Sequence, residues 1–170
     1  MSAMRPWWLT LAAAVAAVGA VACSSGGTSG SAGLGVGAGA DAGADADSGA
    51  GGGAAQDCVD TINRYRASVG LPPYARWTDG EACASGEARK DAQSMQAHSA
   101  FASCGEFAQN ECPGWPGPPD AMIGQCLQMM WMEGPGGGHY DNMTSKSYTQ
   151  VACGFYVLGD GSVWAAQDFR

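Results

Sequence analysis

Basic residues are scarce in this 170-residue sequence, which has eight Lys and Arg against 16 Asp and Glu and a formal net charge of -8. Nucleic-acid binding needs a basic surface that faces the phosphates. Attraction to anionic lipid headgroups needs a cluster of Lys and Arg, and the sequence has no such cluster. The composition therefore excludes a nucleic-acid partner and argues against direct binding to an acidic membrane surface.

Long apolar runs are also lacking. The longest follows Arg5 and covers residues 7–22, which is short for a membrane span and typical of the core of a secretory signal peptide. We therefore predict that residues 1–22 are a signal peptide and that the protein is extracytoplasmic. Ala20, Val21, Ala22 and Cys23 resemble a bacterial lipobox. In that case Cys23 carries a lipid, which is the only membrane attachment of an envelope lipoprotein. An ordinary cleavage site and a secreted protein are the alternative.

Large side chains are almost absent from residues 23–56, which are mostly Gly, Ala, Ser and a few Asp. Leu34 and Val36 are the larger apolar residues in this stretch. Such a segment cannot bury enough surface to offset the conformational entropy that ordering removes. It is predicted to be a disordered linker, lipid-anchored or secreted, that precedes one folded domain at residues 57–170.

The sequence has no Cys-x-x-Cys pair, which argues against a zinc-thiolate site. If Cys23 carries a lipid, six cysteines remain in the domain. They are Cys58, Cys83, Cys104, Cys112, Cys126 and Cys153. In an oxidising compartment an even set of six predicts up to three disulfides, and the 15 pairings stay open at this point.

Hydrophobic periodicity predicts three helices followed by a β-hairpin. The helices run from an N-cap at Asp57 to Val69, from about Ala84 to Ala97 and from about Asp120 to Glu133. Residues 151–157 alternate as expected for a strand with one buried face, and a second strand covers residues 163–169. A turn at residues 159–161 joins them. Helices followed by an antiparallel hairpin predict a layered α+β domain.

Several motifs occur in an order typical of one extracellular superfamily. They are residues 62–66, residues 70–73, His98 with Ser99, residues 104–106, residues 130–133 and residues 138–140. With these motifs the sequence resembles the CAP superfamily, which groups cysteine-rich secretory proteins, antigen five and plant pathogenesis-related proteins. The resemblance implies an SCP-like domain, a disulfide-stabilised three-layer α-β-α sandwich with a small antiparallel sheet.

The same resemblance implies a cleft built from His98, Glu106, Glu133 and His139. Glu111, which follows an amide pair at residues 109 and 110, is the alternative to Glu106. Two neutral imidazoles with carboxylates beside them can hold Zn²⁺ or another divalent cation. His98 and His139 are therefore the predicted metal ligands.

Three classes of function are compatible with these residues. The first is a binding module for a lipid, a sterol, an envelope component or a protein. The second is a hydrolase in which a metal held by the histidines activates water and a Glu acts as general base. The third is a scaffold with a vestigial cleft. The sequence has no His-Glu-x-x-His motif, and a fold resemblance does not supply a reaction. A binding module is therefore preferred, and no catalytic residue is assigned.

Overall fold

The structure, a computed structural model, describes residues 48–170, with side chains from Gly53 onward. The predicted signal peptide, Cys23 and the first part of the predicted linker lie outside the described residues. The elements in chain order are α1 (Ser48–Ser68), β1 (Ala75–Arg76), α2 (Thr78–Ser94), β2 (Ala108–Pro116), α3 (Pro119–Met132), α4 (Gly138–Thr144), β3 (Gln150–Val157) and β4 (Ser162–Phe169).

The first helix begins at Ser48, inside the segment whose composition predicts a linker. Ala54 and Ala55 are buried, so the residues just before Asp57 pack with the domain. The predicted N-cap at Asp57 is wrong, because Asp57 lies within α1. Its carbonyl accepts a hydrogen bond from the Thr61 hydroxyl at 2.6 Å. Alanine favours helices strongly, but it differs little in hydrophobicity from its neighbours in this segment. The hydrophobic periodicity therefore did not predict residues 48–56 as part of the helix.

The remaining helices differ from the prediction at their ends and in number. α2 ends at Ser94 rather than about Ala97, and Met95 after it has a left-handed backbone with φ 54°. α3 runs from Pro119 to Met132, within one residue of the predicted bounds at each end. α4 was not predicted, because seven residues are too few to show a helical period. None of the helices within residues 48–170 is both long enough and apolar enough to cross a membrane.

The four strands form one sheet in the order β1-β3-β4-β2. β3 and β4 form the predicted antiparallel hairpin, and β2 pairs antiparallel with β4 at the edge of the sheet. The short strand β1 runs parallel to β3, so the sheet is mixed rather than purely antiparallel. Neither β1 nor β2 was predicted. The first has two residues, and the second is buried over its first five residues, which removes the alternating pattern.

Helices cover both faces of this sheet, which confirms the three-layer α+β fold. Val151 and Cys153 of β3 belong to the core that α1 and α3 share, whereas Ala152 between them packs against Ala84 of α2. β3 is therefore buried on two faces, not on one as its alternation predicts. α2 lies so close to β3 that a side chain at Gly154 would meet the backbone of α2. Glycine is required at that position.

All six cysteines of the domain form disulfides, as predicted. Cys58 of α1 is bonded to Cys153 of β3, and Cys112 of β2 is bonded to Cys126 of α3. The third bond joins Cys83 of α2 to Cys104. Cys104 lies in the segment of residues 95–107 between α2 and β2, which we call the His98 loop. The disulfides thus tie helices on both faces to the sheet or to this loop.

Candidate functional site

His98 lies in the His98 loop and is held by two residues of β2. Its backbone has φ 60°, and its N–H donates to Glu111 Oε2 at 2.7 Å. Its ring Nδ1 lies 2.9 Å from Gln109 Oε1. Gln109 and Glu111 are two residues apart on one strand, so their side chains leave the same face. The side chain of His98 remains 42% exposed, and Nδ1 is the ring nitrogen that the protein engages.

The two candidate carboxylates near His98 have different partners. Glu111 Oε2 lies 3.9 Å from His98 Nδ1, in addition to the backbone hydrogen bond. Glu106 is buried, and its oxygens accept hydrogen bonds from the backbone N–H groups of Ala102 and Cys104. The structure therefore places Glu111, the alternative residue, beside His98. It places Glu106 where it organises the His98 loop.

His139 lies at the start of α4 and is paired with Glu133, which follows α3. Nδ1 of His139 lies 2.5 Å from Glu133 Oε1, and the His139 N–H donates to Oε2 at 3.2 Å. The hydrogen bond from the imidazole lowers the pKa of Glu133. Each of the two side chains is 35% exposed. His139 and Glu133, two of the four predicted cleft residues, are thus in direct contact at the surface of the domain.

Strand β2 connects the surroundings of the two histidines. Asn110 Nδ2 donates to the His139 carbonyl at 3.1 Å, while the neighbouring Gln109 contacts His98. Asn142 of α4 donates to Asn110 Oδ1 at 2.9 Å, which fixes α4 against the strand. Both histidines are therefore attached to consecutive residues of β2. Since β2 is the edge strand, the His98 loop and α4 meet along its outer side.

A cavity of about 380 Å³ lies at this meeting point. Its lining combines three aromatic rings with polar groups and consists of His98, Phe101, Phe107, Ala108, Gln109, Asn142 and Tyr148. Phe107 is 72% exposed, so an apolar ring stands open to solvent at the cavity. His139 is not among the lining residues. It precedes Asn142, which does line the cavity, by one turn of α4.

Beneath the cavity lies a group of buried acids that the sequence did not point to. Gln109 Nε2 donates to Glu87 Oε2 at 2.7 Å and to Asp168 Oδ1 at 2.9 Å. Burial raises the pKa of Asp168 to about 8 and also raises that of Glu87. Glu111 lies close to this group, and burial raises its pKa to about 7. At neutral pH the carboxyls of Asp168 and Glu111 thus keep part of their protons.

One subset of these acids has donor atoms close enough to share a metal ion. Ligand atoms of Glu87, Glu106, Asp168 and Cys104 lie within 4.8 Å of one another. Cys104 is bonded to Cys83, so its sulfur has no thiolate to offer. The donor set is therefore three buried carboxylates, each of which already accepts hydrogen bonds from the protein. It suits an imidazole-seeking ion such as Zn²⁺ less well than the histidines do.

Two signals in the sequence could have pointed to the buried acids. Glu87 lies in α2 between Ala84 and Ala88, two of the residues that mark the buried face of the helix. Asp168 lies in β4, two residues after Ala166 and on the same face. A carboxylate at a core position is rare unless it is paired or hydrogen-bonded. A carboxylate at a predicted core position is therefore as useful a signal of a functional site as a histidine is.

The sequence profile of the CAP family, described as the cysteine-rich secretory protein family, matches residues 59–169. The chain belongs to this family. No curated protein matches the chain. Among solved structures, an extracellular protein containing an SCP domain from Bacillus anthracis str. Ames is 18% identical, with a TM-score of 0.49 and with 70% of this chain and 41% of that chain covered. Na-ASP-1 is 11% identical, with a TM-score of 0.48, and the match covers 69% of this chain and 38% of the Na-ASP-1 chain. The chain spans about two fifths of the length of these two structures.

In this CAP domain the residues implied by the family resemblance form two pairs rather than one cluster. His98 with Glu111 lies on the α2 side of β2, and His139 with Glu133 lies on the α3 and α4 side. In each pair the protein engages Nδ1, and no hydrogen bond to Nε2 is present within residues 48–170. A ring held at Nδ1 is the usual arrangement of a histidine that binds a metal through Nε2. Each histidine thus offers one imidazole nitrogen of the kind that binds a divalent cation. Within residues 48–170, however, neither histidine belongs to a group of three donors that could share one ion; that group is formed by Glu87, Cys104, Glu106 and Asp168.

Proposed function

We propose that this CAP domain is an extracytoplasmic binding module that holds a small ligand in the cavity beside β2 and binds a divalent cation at one or both of two separate histidines, His98 and His139. The cavity carries the proposal. It combines aromatic rings, which take up apolar or planar groups, with the imidazole of His98 and the amides of Gln109 and Asn142, which orient polar groups. The ligand class that suits this lining is amphipathic, such as a lipid, a sterol or a fragment of the cell envelope.

The exposed rings support binding rather than stability. Phe107 is 72% exposed and Phe101 is 44% exposed, so neither contributes much to the core. Apolar side chains on a cavity rim usually mark a contact surface when several of them lie together. Tyr148 completes the aromatic part of the lining. We therefore expect ligand binding to bury these three rings.

The metal part of the proposal rests on the histidine pairs. The direct test is calorimetric titration of Zn²⁺ into the full oxidised chain, with wild type compared with a His98→Ala, His139→Ala double variant. We expect binding by wild type and at least a tenfold loss of affinity in the variant. Equal binding by both proteins would refute a site at these histidines.

The ligand part has its own test. Protein extracted from its native envelope is examined by mass spectrometry for co-purifying amphipathic molecules, and the same is done for Phe101→Ala with Phe107→Ala. We expect a molecule on wild type that is depleted in the double variant. A molecule retained equally by both proteins would show that it binds elsewhere.

A metal-assisted hydrolase is the second candidate, because Glu133 beside His139 provides a carboxylate next to the proposed cation. Such an enzyme would use the carboxylate as general base for a metal-bound water. It requires turnover of a peptide, ester or glycan with Zn²⁺ supplied, and His139→Ala must abolish that turnover. Without turnover across these panels the enzyme is excluded and the binding module or a scaffold with a vestigial cleft remains.

The lipoprotein anchor is proposed from the sequence alone. Cys23 follows the apolar run that resembles a signal peptide. We expect Cys23→Ser to abolish membrane partitioning and to change the mass of the mature protein. An unchanged mass and unchanged partitioning would favour simple secretion.

A further inference from the structure

We propose that Gln109 is a positioning residue. Held by the buried carboxyls of Glu87 and Asp168, it keeps neutral His98 in the tautomer with its proton on Nδ1, so that His98 meets a ligand through Nε2. Only the last step, the coordination of a cation by Nε2, rests on the proposed function. The orientation of the amide and the tautomer of the ring follow from contacts within the protein.

The first step is the orientation of the Gln109 amide. Its Nε2 lies 2.7 Å from Glu87 Oε2 and 2.9 Å from Asp168 Oδ1. A primary amide has two N–H donors, and these two oxygens take both of them. If the amide were turned over, its carbonyl oxygen would face two carboxyl oxygens in a site closed to water. Glu87 and Asp168 are both fully buried, so that repulsion would not be screened.

The protonation of the two carboxyls does not change this orientation. Burial raises the pKa of Asp168 to about 8 and also raises that of Glu87. Asp168 Oδ2 is buried and has no hydrogen-bond partner among the described residues, so a proton retained there leaves Oδ1 as an acceptor for the amide of Gln109. The amide therefore still faces acceptors on this side, whichever of the two acids carries the proton.

The second step is the tautomer of His98. With both N–H groups of Gln109 engaged, its Oε1 is purely an acceptor, and it lies 2.9 Å from His98 Nδ1. An acceptor at this distance requires a proton on Nδ1. Neutral imidazole has a single ring proton, so Nε2 keeps its lone pair. Two buried acids thus determine, through one amide, which atom of His98 is offered to a ligand.

The third step is the hold on the backbone of His98. Its N–H donates to Glu111 Oε2 at 2.7 Å, and the same oxygen lies 3.9 Å from Nδ1. The residue is therefore fixed at its backbone and at its ring by two side chains of the same strand. A hydrogen bond of this kind behind the ring is what orients histidines in metal sites.

The test is a long-range ¹H–¹⁵N correlation spectrum of the full chain with labelled histidine, at pH 7.5 and without metal. The sequence has two histidines, so both rings are resolved in one experiment. We expect His98 to carry its proton on Nδ1 with at least a tenfold preference, which corresponds to about 1.4 kcal/mol. A spectrum in which the major form of His98 carries the proton on Nε2 would overturn the proposal, whatever the variants do.

A double variant, Glu87→Gln with Asp168→Asn, tests the cause. Carboxamides of nearly the same shape offer donors as well as acceptors, so the amide of Gln109 is free to turn and to donate to Nδ1. We expect the preference at His98 to fall below threefold while His139, held by Glu133, is unchanged. The matched control is Glu133→Ala, which should relax His139 and leave His98 as in wild type. A folded double variant that keeps the tenfold preference would contradict the role of the two acids.

Zinc titration of the same samples separates this proposal from the proposed function. Wild type that has Nδ1–H on His98 but does not bind Zn²⁺ would refute the metal site and leave the positioning role standing. Wild type that binds Zn²⁺ while His98 carries its proton on Nε2 would refute the positioning role. If the double variant fails to fold, the spectrum of wild type alone decides.

Discussion

His139 Nδ1 and Glu133 Oε1 lie 2.5 Å apart, and the second oxygen of the same carboxylate receives the His139 backbone N–H. The side chain of Glu133, which follows α3, therefore fixes both the ring and the backbone of the second residue of α4. Gly137 allows this approach, because a side chain there would lie 2.4 Å from Glu133 Cβ. The pair is a rigid connection between two helices at the candidate cation site.

Loss of this carboxylate should weaken metal binding. Residues that orient a histidine ligand contribute about 10-fold to 100-fold in metal affinity. We therefore expect Glu133→Ala to lower the affinity for Zn²⁺ by that factor, and Glu133→Gln, which keeps an acceptor oxygen, to lower it less. Calorimetric titration measures both.

Asp120→Ala is the matched control, since Asp120 is an exposed acid at the other end of α3. It should leave the affinity for Zn²⁺ within about threefold of wild type, because it contacts neither histidine. Equal losses in Glu133→Ala and Asp120→Ala would mean that general negative charge, rather than the pair with His139, attracts the cation.

The sequence predicted more of the fold than of the site. Two of the family motifs carry residues that the structure brings to β2, His98 and His139. The hairpin was correctly placed because Gly159 and Gly161 delimit its turn. The contact between His98 and Gln109 was not predicted. It depends on the edge strand β2, which has no alternating pattern because its first five residues are buried. The buried acids Glu87 and Asp168 were not predicted either, although both lie at core-facing positions of α2 and β4.

Stability should fall as the pH rises from 5 to 8. Burial raises the pKa of Asp168 to about 8 and that of Glu111 to about 7, well above the values near 4 that unfolded carboxyls have. In this window the folded protein keeps protons that the unfolded chain releases. Each retained proton lowers the free energy of unfolding by up to about 1.4 kcal/mol per pH unit. Urea denaturation at pH 5, 6, 7 and 8 measures the slope.

The carboxyls of Glu133 and Asp160 act in the opposite direction, since the hydrogen bonds that they accept from His139 and Ser162 lower their pKa. Their contribution is complete above the unfolded pKa and is lost only below about pH 4, outside the window of the measurement. Asp168→Asn should flatten the slope between pH 5 and 8. Stability that increases with pH across this range would contradict the account.

The disulfides should differ in their contribution to stability. Cys58 and Cys153 are 95 residues apart in sequence, whereas Cys112 and Cys126 are 14 apart. The entropy that a cross-link removes from the unfolded chain grows with the length of the loop, to roughly 4.5 kcal/mol for the long loop and roughly 3 kcal/mol for the short one. Double Cys→Ala variants, each compared with wild type in guanidinium, measure the two losses. A larger loss for the short loop would show that native packing, not chain entropy, dominates.

Arg66 should be one of the largest single contributors to stability. Its side chain is 1% exposed and donates to three backbone carbonyls, those of Pro72, Met143 and Ser145, at 2.8 to 2.9 Å. Its guanidinium also lies 3.5 Å from the ring centre of Tyr74. Through these contacts α1 holds the C-terminal end of α4, whose other end carries His139.

Substitution of this arginine removes three hydrogen bonds from a charged group to backbone carbonyls. Arg66→Met keeps an unbranched apolar stem but leaves the buried Met143 carbonyl without this donor, whereas the Ser145 carbonyl keeps the hydrogen bond from the Tyr74 hydroxyl. A hydrogen bond from a charged group contributes about 1.5 to 3 kcal/mol, and the exposed Pro72 carbonyl is solvated by water after the substitution. We expect a loss of about 3 kcal/mol in the free energy of unfolding, measured by urea denaturation. The control is Arg64→Met, two residues earlier on the exposed side of α1. Arg64 donates to the Thr61 hydroxyl, and its substitution should lower the free energy of unfolding by less than about 0.5 kcal/mol. Both variants remove one positive charge, but only Arg66→Met removes hydrogen bonds to backbone carbonyls. Equal losses would therefore mean that Arg66 stabilises the protein through its charge.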